Sequence, residues 1–371
     1  MTSKDQTAVF LPRKQLQHLL HLLQQRGYAC YGPQVRDGAI HYLPLDHIDQ
    51  LPHGISQQQS TGYYRIHEAD HGRYFAWANG PQALKPLLFA PRETLWRSTI
   101  TEQGYHFTES IPEPEKRAVI GVRACDIAAL YIHDKHFLQQ ACRDPYYLAR
   151  RQELLLVAVH CSHPAETCFC ASTHDGPAAS YGYDLALSEL DEGFIIEAHT
   201  ETGIAIKNQL RTVDASADQI RAADEAIQQA ARQQRRLPPA KQQQQLLANL
   251  EHPRWQEIAV RCLSCGNCTA VCPTCFCHNE QDESALDGSY SDHHREWDSC
   301  FSQGHSYIHG MTLRADTDLR YRQWLTHKLG SWQQQYGRSG CVGCGRCISW
   351  CPVGIDITEE AAIISQGNSH D

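Results

Sequence analysis

The 371-residue chain lacks the features that would place it in a membrane, on a nucleic acid or around a nucleotide. Its longest apolar runs, such as LLLVAV at 154–159, are strand-sized, far short of the roughly 20 residues that cross a bilayer. The opening stretch MTSKDQTAVFLPRKQLQHLL has no apolar core followed by a small-residue cleavage site, so export is not expected and the chain reads as cytoplasmic. The 33 basic residues are scattered and the net charge is -9, which leaves no electropositive footprint for DNA or RNA. No G-x-G-x-x-G fingerprint and no phosphate loop is present, so neither a dinucleotide nor a nucleoside triphosphate is expected on this chain. What the chain has in excess is cysteine. Seventeen thiols without an export signal are read as metal ligands rather than disulfides, because a reducing compartment keeps thiols free.

With 42% hydrophobic residues the chain is long enough for two or three domains. FLPRKQLQHLLHLLQQRG reads as a capped helix ending at Gly27, and GRYFAWAN as a strand. RAVIGVR reads as a strand, DIAALYIHDKHFLQQ has helical apolar spacing, and ELLLVAVH is a second strand. Together they predict a β-α-β unit with parallel strands and, by default, a right-handed crossover. From 214 to 250 the composition shifts to Ala, Gln and Arg, predicting two polar helices broken at Pro238 and Pro239. A disordered Gln-rich linker is the alternative there, and the regular spacing of Ile, Ala and Leu favours helix. The expected fold class is α+β. It comprises an N-terminal mixed α/β domain over 1–213, a helical connector over 214–254, and a C-terminal α-helical ferredoxin domain over 255–371.

Two runs in the last region match C-x2-C-x2-C-x3-C-P: Cys262, Cys265, Cys268 and Cys272 before Pro273, and Cys341, Cys344, Cys347 and Cys351 before Pro352. In this pattern three close thiolates hold three irons of one 4Fe-4S cube, and the fourth cysteine reaches the other cube. One cluster is therefore assigned to Cys262, Cys265, Cys268 and Cys351, the other to Cys341, Cys344, Cys347 and Cys272. Gly266, Gly343 and Gly345 suit the tight turns between them. Zinc also binds C-x2-C pairs, but it does not require four cysteines ending in proline, twice. The insertion between the motifs is long and is expected to be largely helical, resembling the α-helical ferredoxin domains of fumarate reductase iron-sulfur subunits and heterodisulfide reductase subunits.

The tetrapeptide TCFC occurs twice, around Cys168 and Cys170 and around Cys275 and Cys277. Cys125 follows the first strand of the β-α-β unit and Cys161 the second, so both belong at the carboxyl edge of the sheet, where α/β proteins carry ligands. Cys168 and Cys170 follow on the same loop. These four thiols suffice for a third 4Fe-4S cluster, and the competing reading makes them buried apolar residues. Cys275, Cys277 and Cys300 leave three spare thiols, open to packing, to an alternative ligand role, or to a cluster with a non-cysteine fourth ligand. Cys30 and Cys142 read as structural. Arg123, Arg314, Arg320, Arg322, His327 and Lys328 either offset the charge of the cubes, about -2 each with their thiolates, or form a solvated face.

GVRACDIAAL, DPYYLARR, the CFC after VHCSHP, GYDLAL, HPRWQEIAVRCLSCGNCTAVCPTCFC, WDSC, and RYRQWLTHKLGSW leading into GCVGCGRCISWCPVGID resemble the β subunit of cytoplasmic NADP-linked nickel-iron hydrogenases, the sulfhydrogenases. They also resemble the corresponding iron-sulfur subunit of anaerobic sulfite reductase. The resemblance runs from about residue 115 onward. It implies an electron-transfer subunit between a flavin subunit that handles NAD(P)H and a catalytic module, either the small and large subunits of a nickel-iron hydrogenase or a sirohaem sulfite reductase. The chain carries no paired C-x-x-C in the arrangement a nickel-iron centre needs, so flavin, nicotinamide and nickel are expected on other chains. A stand-alone enzyme at an open iron and a cluster-based sensor are the competing classes; no DNA-binding helix pair supports the latter.

Overall fold

A run such as LLLVAV has no polar face, so it belongs in a sheet covered on both sides. It occupies that position in the computed structural model, which describes residues 8–367. The main sheet is built from β1 (Val9–Pro12), β2 (Ala29–Arg36) and β3 (Ala39–Pro44). Outside it follow β4 (Ile55–Ser60), β5 (Tyr63–Glu68), β6 (Arg92–Thr101) and β7 (Gly104–Glu109). It resumes with β8 (Arg117–Val122), β9 (Leu154–Val159), β10 (Leu185–Glu189), β11 (Gly193–Ala198) and β12 (Val213–Asp214). The order is β12-β1-β11-β10-β9-β8-β2-β3, with β9 parallel to both β8 and β10.

Side chains alternate across this sheet. Leu155, Val157 and Val159 join the core under the helix Leu16–Gln25, while Leu156 and Ala158 face Ile127 and Leu130 of the helix Ala124–Phe137. The expected β-α-β unit is thus present. Its first strand carries a register shift between Ile120 and Val122, with Gly121 at φ 87°, so Val122 turns to the face of Val119. Such a bulge re-aims the chain end, here at Arg123 and Cys125.

Three expectations fail. The helix expected over FLPRKQLQHLLHLLQQRG begins only at Leu16 and has no side-chain cap, because its first residues belong to β1. GRYFAWAN is not a strand but a loop, bent at Tyr74, Phe75 and Trp77 and buried from Phe75 onward, whose backbone bonds to side chains: the Tyr74 and Phe75 amides each donate to the Glu189 carboxylate at 2.7 Å. Arg123 donates in turn to the carbonyls of Phe75 and Trp77, at 2.7 and 2.8 Å. With its hydrogen bonds taken up this way, the segment has no need of a strand partner.

The insertion is also less helical than expected. It sends out the hairpin β13 (His278–Ser284) and β14 (Tyr290–Trp297), which completes a four-stranded sheet β13-β14-β6-β7 with strands from the N-terminal half. Asp287-Gly288, with Gly288 at φ 72°, makes the turn. The strands are polar because cross-strand pairs hold them rather than an apolar face. Arg97 grips Asp292 through two bonds of 2.6 Å, Trp96 stacks on His293 at 4.7 Å, and buried Arg295 pairs with Glu93 and Asp144.

Apart from a short ribbon, Tyr307–Ile308 paired with Met311–Thr312, the remaining C-terminal elements are helical. The connector forms the helix Ala217–Ala230, opened by a Ser216–Gln219 capping box, and the short helix Ala240–Gln244 beyond Pro238 and Pro239. The helix Thr317–Leu325 continues through a π turn, Thr326–Ser331, into Trp332–Tyr336. The fold is therefore α+β with a cysteine-rich C-terminal region.

The two halves meet where the first TCFC lies on the second cysteine run. The Phe169 amide donates to the Gly343 carbonyl at 2.8 Å, and Thr167 Oγ1 lies 2.8 Å from Ser349 Oγ. A Cβ on Gly343 would come within 2.5 Å of Cys170 backbone, and one on Gly345 within 2.4 Å of the Thr167 carbonyl; both glycines have positive φ. Gly345→Ala is expected to destabilise the protein by more than ~1 kcal/mol, from backbone strain plus this clash. Denaturant unfolding of the two proteins checks it; equal midpoints would mean the contact is not required.

Candidate metal centres

The first cysteine run leaves the helix Arg254–Arg261 at Cys262, turns through Gly266 at φ 75°, and presents Cys265 and Cys268. Cys351 arrives just after the turn Arg346–Ser349. These four thiols line one cavity, walled otherwise by Leu263, Phe301, Tyr321, Trp324 and Ile355, and Cys347 from the other run shares its rim. Cys265 is exposed, and Leu263 and Val260 beside it are 62% and 89% exposed, so this cavity lies at the surface.

The second set is deeper. Cys341 is buried, and its thiol is pushed up to about 12 by burial and then by Cys344. Cys347 is raised by burial and by the nearby Cys341, Cys344 and Cys272 thiolates, which places all four together. Cys272 is tied to this loop through the second TCFC: Thr274 Oγ1 lies 3.2 Å from Cys272 Sγ and donates to the Gly340 carbonyl at 2.7 Å. Lys328, from the π turn, reaches Cys272 Sγ at 3.4 Å and Thr274 Oγ1 at 2.8 Å. Burial works against its charge, but Cys272, Cys275 and Cys341 outweigh it and hold the ammonium above its ordinary range. A π turn at a functional position is a recurrent use of that geometry.

Cys125, Cys161, Cys168 and Cys170 also line one cavity, with Asn79, Arg123 and Cys344. Cys125 sits in the first turn of the helix Ala124–Phe137 and Cys161 two residues past the end of β9, the two carboxyl ends that parallel strands bring together. Burial raises Cys125 and Cys168 well above the ordinary thiol range. Cys170 reaches about 12, although Gln233 of the connector donates to its sulfur at 3.3 Å.

The basic residues divide. Lys328 lies against thiolate sulfur, whereas Arg123, 2% exposed, donates to the carbonyls of Phe75, Trp77, Val159 and His160 and stitches the loops around the third cavity. Arg320 donates to the carbonyls of Phe301, Arg314 and Ala315, Arg322 to that of Leu250, and His327 accepts from Trp332 Nε1. Cys275 touches Cys272, and Cys277 lies near Cys300 and His305. Phe276 between them stacks on His136 at 3.6 Å and on Trp332 at 5.3 Å, as a packing role requires.

Sequence reasoning missed Asp126 and the part played by Arg346. They form a buried ion pair of 2.9 Å between the second set and the third cavity, each 2% exposed or less. Asn79 Nδ2 donates to Asp126 at 2.5 Å and Arg346 Nε to the Gly80 carbonyl at 3.0 Å. The local signal was slight: an acid after Cys125 and an arginine inside C-G-R-C.

The donor chemistry fits iron–sulfur clusters. All the cysteines are free, and buried thiolates in apolar walls need a cationic core to hold them ionised. Among the described residues no three His, Cys, Asp or Glu side chains close on a single metal ion. Residues 261–355 match the family of 4Fe-4S dicluster domains. The class is thus that of an iron–sulfur electron-transfer subunit.

Within that class the chain is related to sulfhydrogenase 2 subunit beta of Pyrococcus furiosus, 29% identical over 276 residues that span 73% of this chain and 79% of that protein. Both findings support the resemblance to the hydrogenase β-subunit family seen in the motifs. No solved structure matches the chain. No helix among the described residues is long and apolar enough to cross a membrane.

Replacing Asp126 with Ala leaves Arg346 buried without its counter-charge. A loss of ~3–5 kcal/mol is expected, measured by denaturant unfolding under anaerobic conditions; a loss below ~1 kcal/mol would show that Arg346 finds other compensation.

Proposed function

We propose that the chain conducts electrons, in the cytoplasm, between a flavin subunit that handles NAD(P)H and the small and large subunits of a nickel-iron hydrogenase. The similarity to a sulfhydrogenase β subunit supports the hydrogenase partner over a sulfite reductase. Three 4Fe-4S clusters carry the current. One is held by Cys262, Cys265, Cys268 and Cys351, a second by Cys272, Cys341, Cys344 and Cys347, and a third by Cys125, Cys161, Cys168 and Cys170.

The observation that carries this reading is the sharing of cysteines between cavity walls. Cys347 borders the first cavity and Cys344 the third, although both belong to the second set. The order along the path is therefore third, second, first, with the second cluster in the middle and the first at the surface beside exposed Cys265. An electron moves one hop at a time, and each potential is set by hydrogen bonds to sulfur, solvent exposure and local charge. Lys328 and Arg346, both buried, favour the extra negative charge of a reduced second cluster.

Iron and acid-labile sulfide on anaerobically purified chain test the cluster number: about twelve irons for three cubes, about eight for two. Cys168→Ala is expected to lower the count by about four irons, and an unchanged count would return the first TCFC to a packing role. Cys344→Ala and Cys265→Ala are expected to abolish hydrogen-linked NAD(P) reduction in the assembled complex. Hydrogen oxidation with an artificial dye at the catalytic module should continue. Normal coupled rates in both variants would rule out the conductor.

A further inference from the structure

Tyr321 and Trp324 stand three residues apart on the helix Thr317–Leu325, so their rings share one face. They are 2% and 5% exposed, and both line the cavity of Cys262, Cys265, Cys268 and Cys351. Neither the Tyr321 hydroxyl nor Trp324 Nε1 has a hydrogen-bond partner. Among the other indoles of the C-terminal half, Trp255 Nε1 donates to the Asn249 carbonyl at 2.9 Å and Trp332 Nε1 to His327 at 2.9 Å, whereas Trp350 Nε1, which does not line this cavity, is also buried without a partner. A buried donor left unpaired costs about 1–3 kcal/mol, so two on one cavity wall call for an acceptor inside it.

The rings are not free to turn elsewhere. Tyr321 and Trp324 meet edge to face at 5.4 Å, and Phe301 closes on them at 6.2 and 6.0 Å. Apart from Asn267, the rest of the cavity wall is cysteine, glycine, proline and aliphatic residues, so sulfur is the acceptor the site supplies.

We propose that Tyr321 and Trp324 donate hydrogen bonds to the sulfurs of the cluster in this cavity and raise its reduction potential. The inference rests on the reading that these four cysteines hold a 4Fe-4S cube. On reduction the cube accepts one electron from its neighbour and no proton moves. Its charge falls from about -2 to about -3 with its thiolates, and a donor to sulfur stabilises the more negative state more strongly. The deeper second set has the ammonium of Lys328 against its sulfur, so the outer and middle clusters are tuned by different means, neutral dipoles at the surface and buried charge inside.

Tyr321→Phe and Trp324→Phe test this in the full chain. Iron and sulfide are counted first, and a count or spectrum showing no cluster at Cys262, Cys265, Cys268 and Cys351 in the unaltered protein overturns the underlying reading. With the clusters loaded, a redox titration followed by electron paramagnetic resonance should show one cluster harder to reduce and the others unmoved. A tenfold fall in its reduced-to-oxidised ratio at fixed potential corresponds to 59 mV for one electron. Wild-type potentials in fully loaded variants overturn the proposal. Resonance Raman of the unaltered protein in heavy water gives a second readout that needs no potential. The iron–sulfur bands should shift on exchange, and by less in each loaded variant; shifts identical in all three proteins overturn it as well.

Discussion

The contact on which the arrangement depends is the seating of the first TCFC on the second cysteine run. Backbone meets backbone there, with the Phe169 amide on the Gly343 carbonyl and no space for a Cβ at Gly343 or Gly345. A hydrogen bond and two glycines thereby bring Cys344 to the wall of the third cavity. A Cβ at either glycine would push the two backbones apart at this contact.

The second TCFC does the corresponding task on the other side of the same loop. Buried Thr167 bonds to Ser349 and buried Thr274 to the Gly340 carbonyl, so the two threonines clamp the 340–349 segment at its two ends. The phenylalanines anchor each clamp in a different core: Phe169 packs in the cluster of Phe301 and Trp324, Phe276 in that of Trp332 and Ile132. The repeat is thus a structural device used twice, and its cysteines differ in setting. The first pair faces a cavity with two further thiols, while the second lies against Cys272 and Cys300 in packed surroundings.

Electrostatics follow from this close packing. Thiolates brought together in apolar surroundings repel, and the molecule answers with cations placed between them. Lys328 stands on Cys272, and Arg346 stands between the second and third sets with Asp126 as its counter-ion. An ion pair at this depth is weak evidence for stability, because desolvation offsets its attraction. Its value lies in holding a fixed charge beside the Cys344 and Cys125 sulfurs.

Local sequence determined the two C-x2-C-x2-C-x3-C-P runs, the β-α-β unit and the connector helix, because each depends on spacing within a few residues. Cys125, Cys161, Cys168 and Cys170 were legible one step further, since parallel strands bring their carboxyl ends together wherever they occur. Tertiary structure alone decided the rest. GRYFAWAN reads as a strand until Glu189 and Arg123, distant in the chain, take its hydrogen bonds. HNEQDES and YSDHHREW have no apolar alternation, so their hairpin shows only through Asp287-Gly288 and through partners such as Arg97 and Glu93 that lie far earlier in the chain. Arg346 and Asp126 are 220 residues apart and carry no pattern that links them. Periodicity records what a segment does with its immediate neighbours and with the core as a whole. Charges, caps and cavity walls depend on which particular residues folding brings into contact.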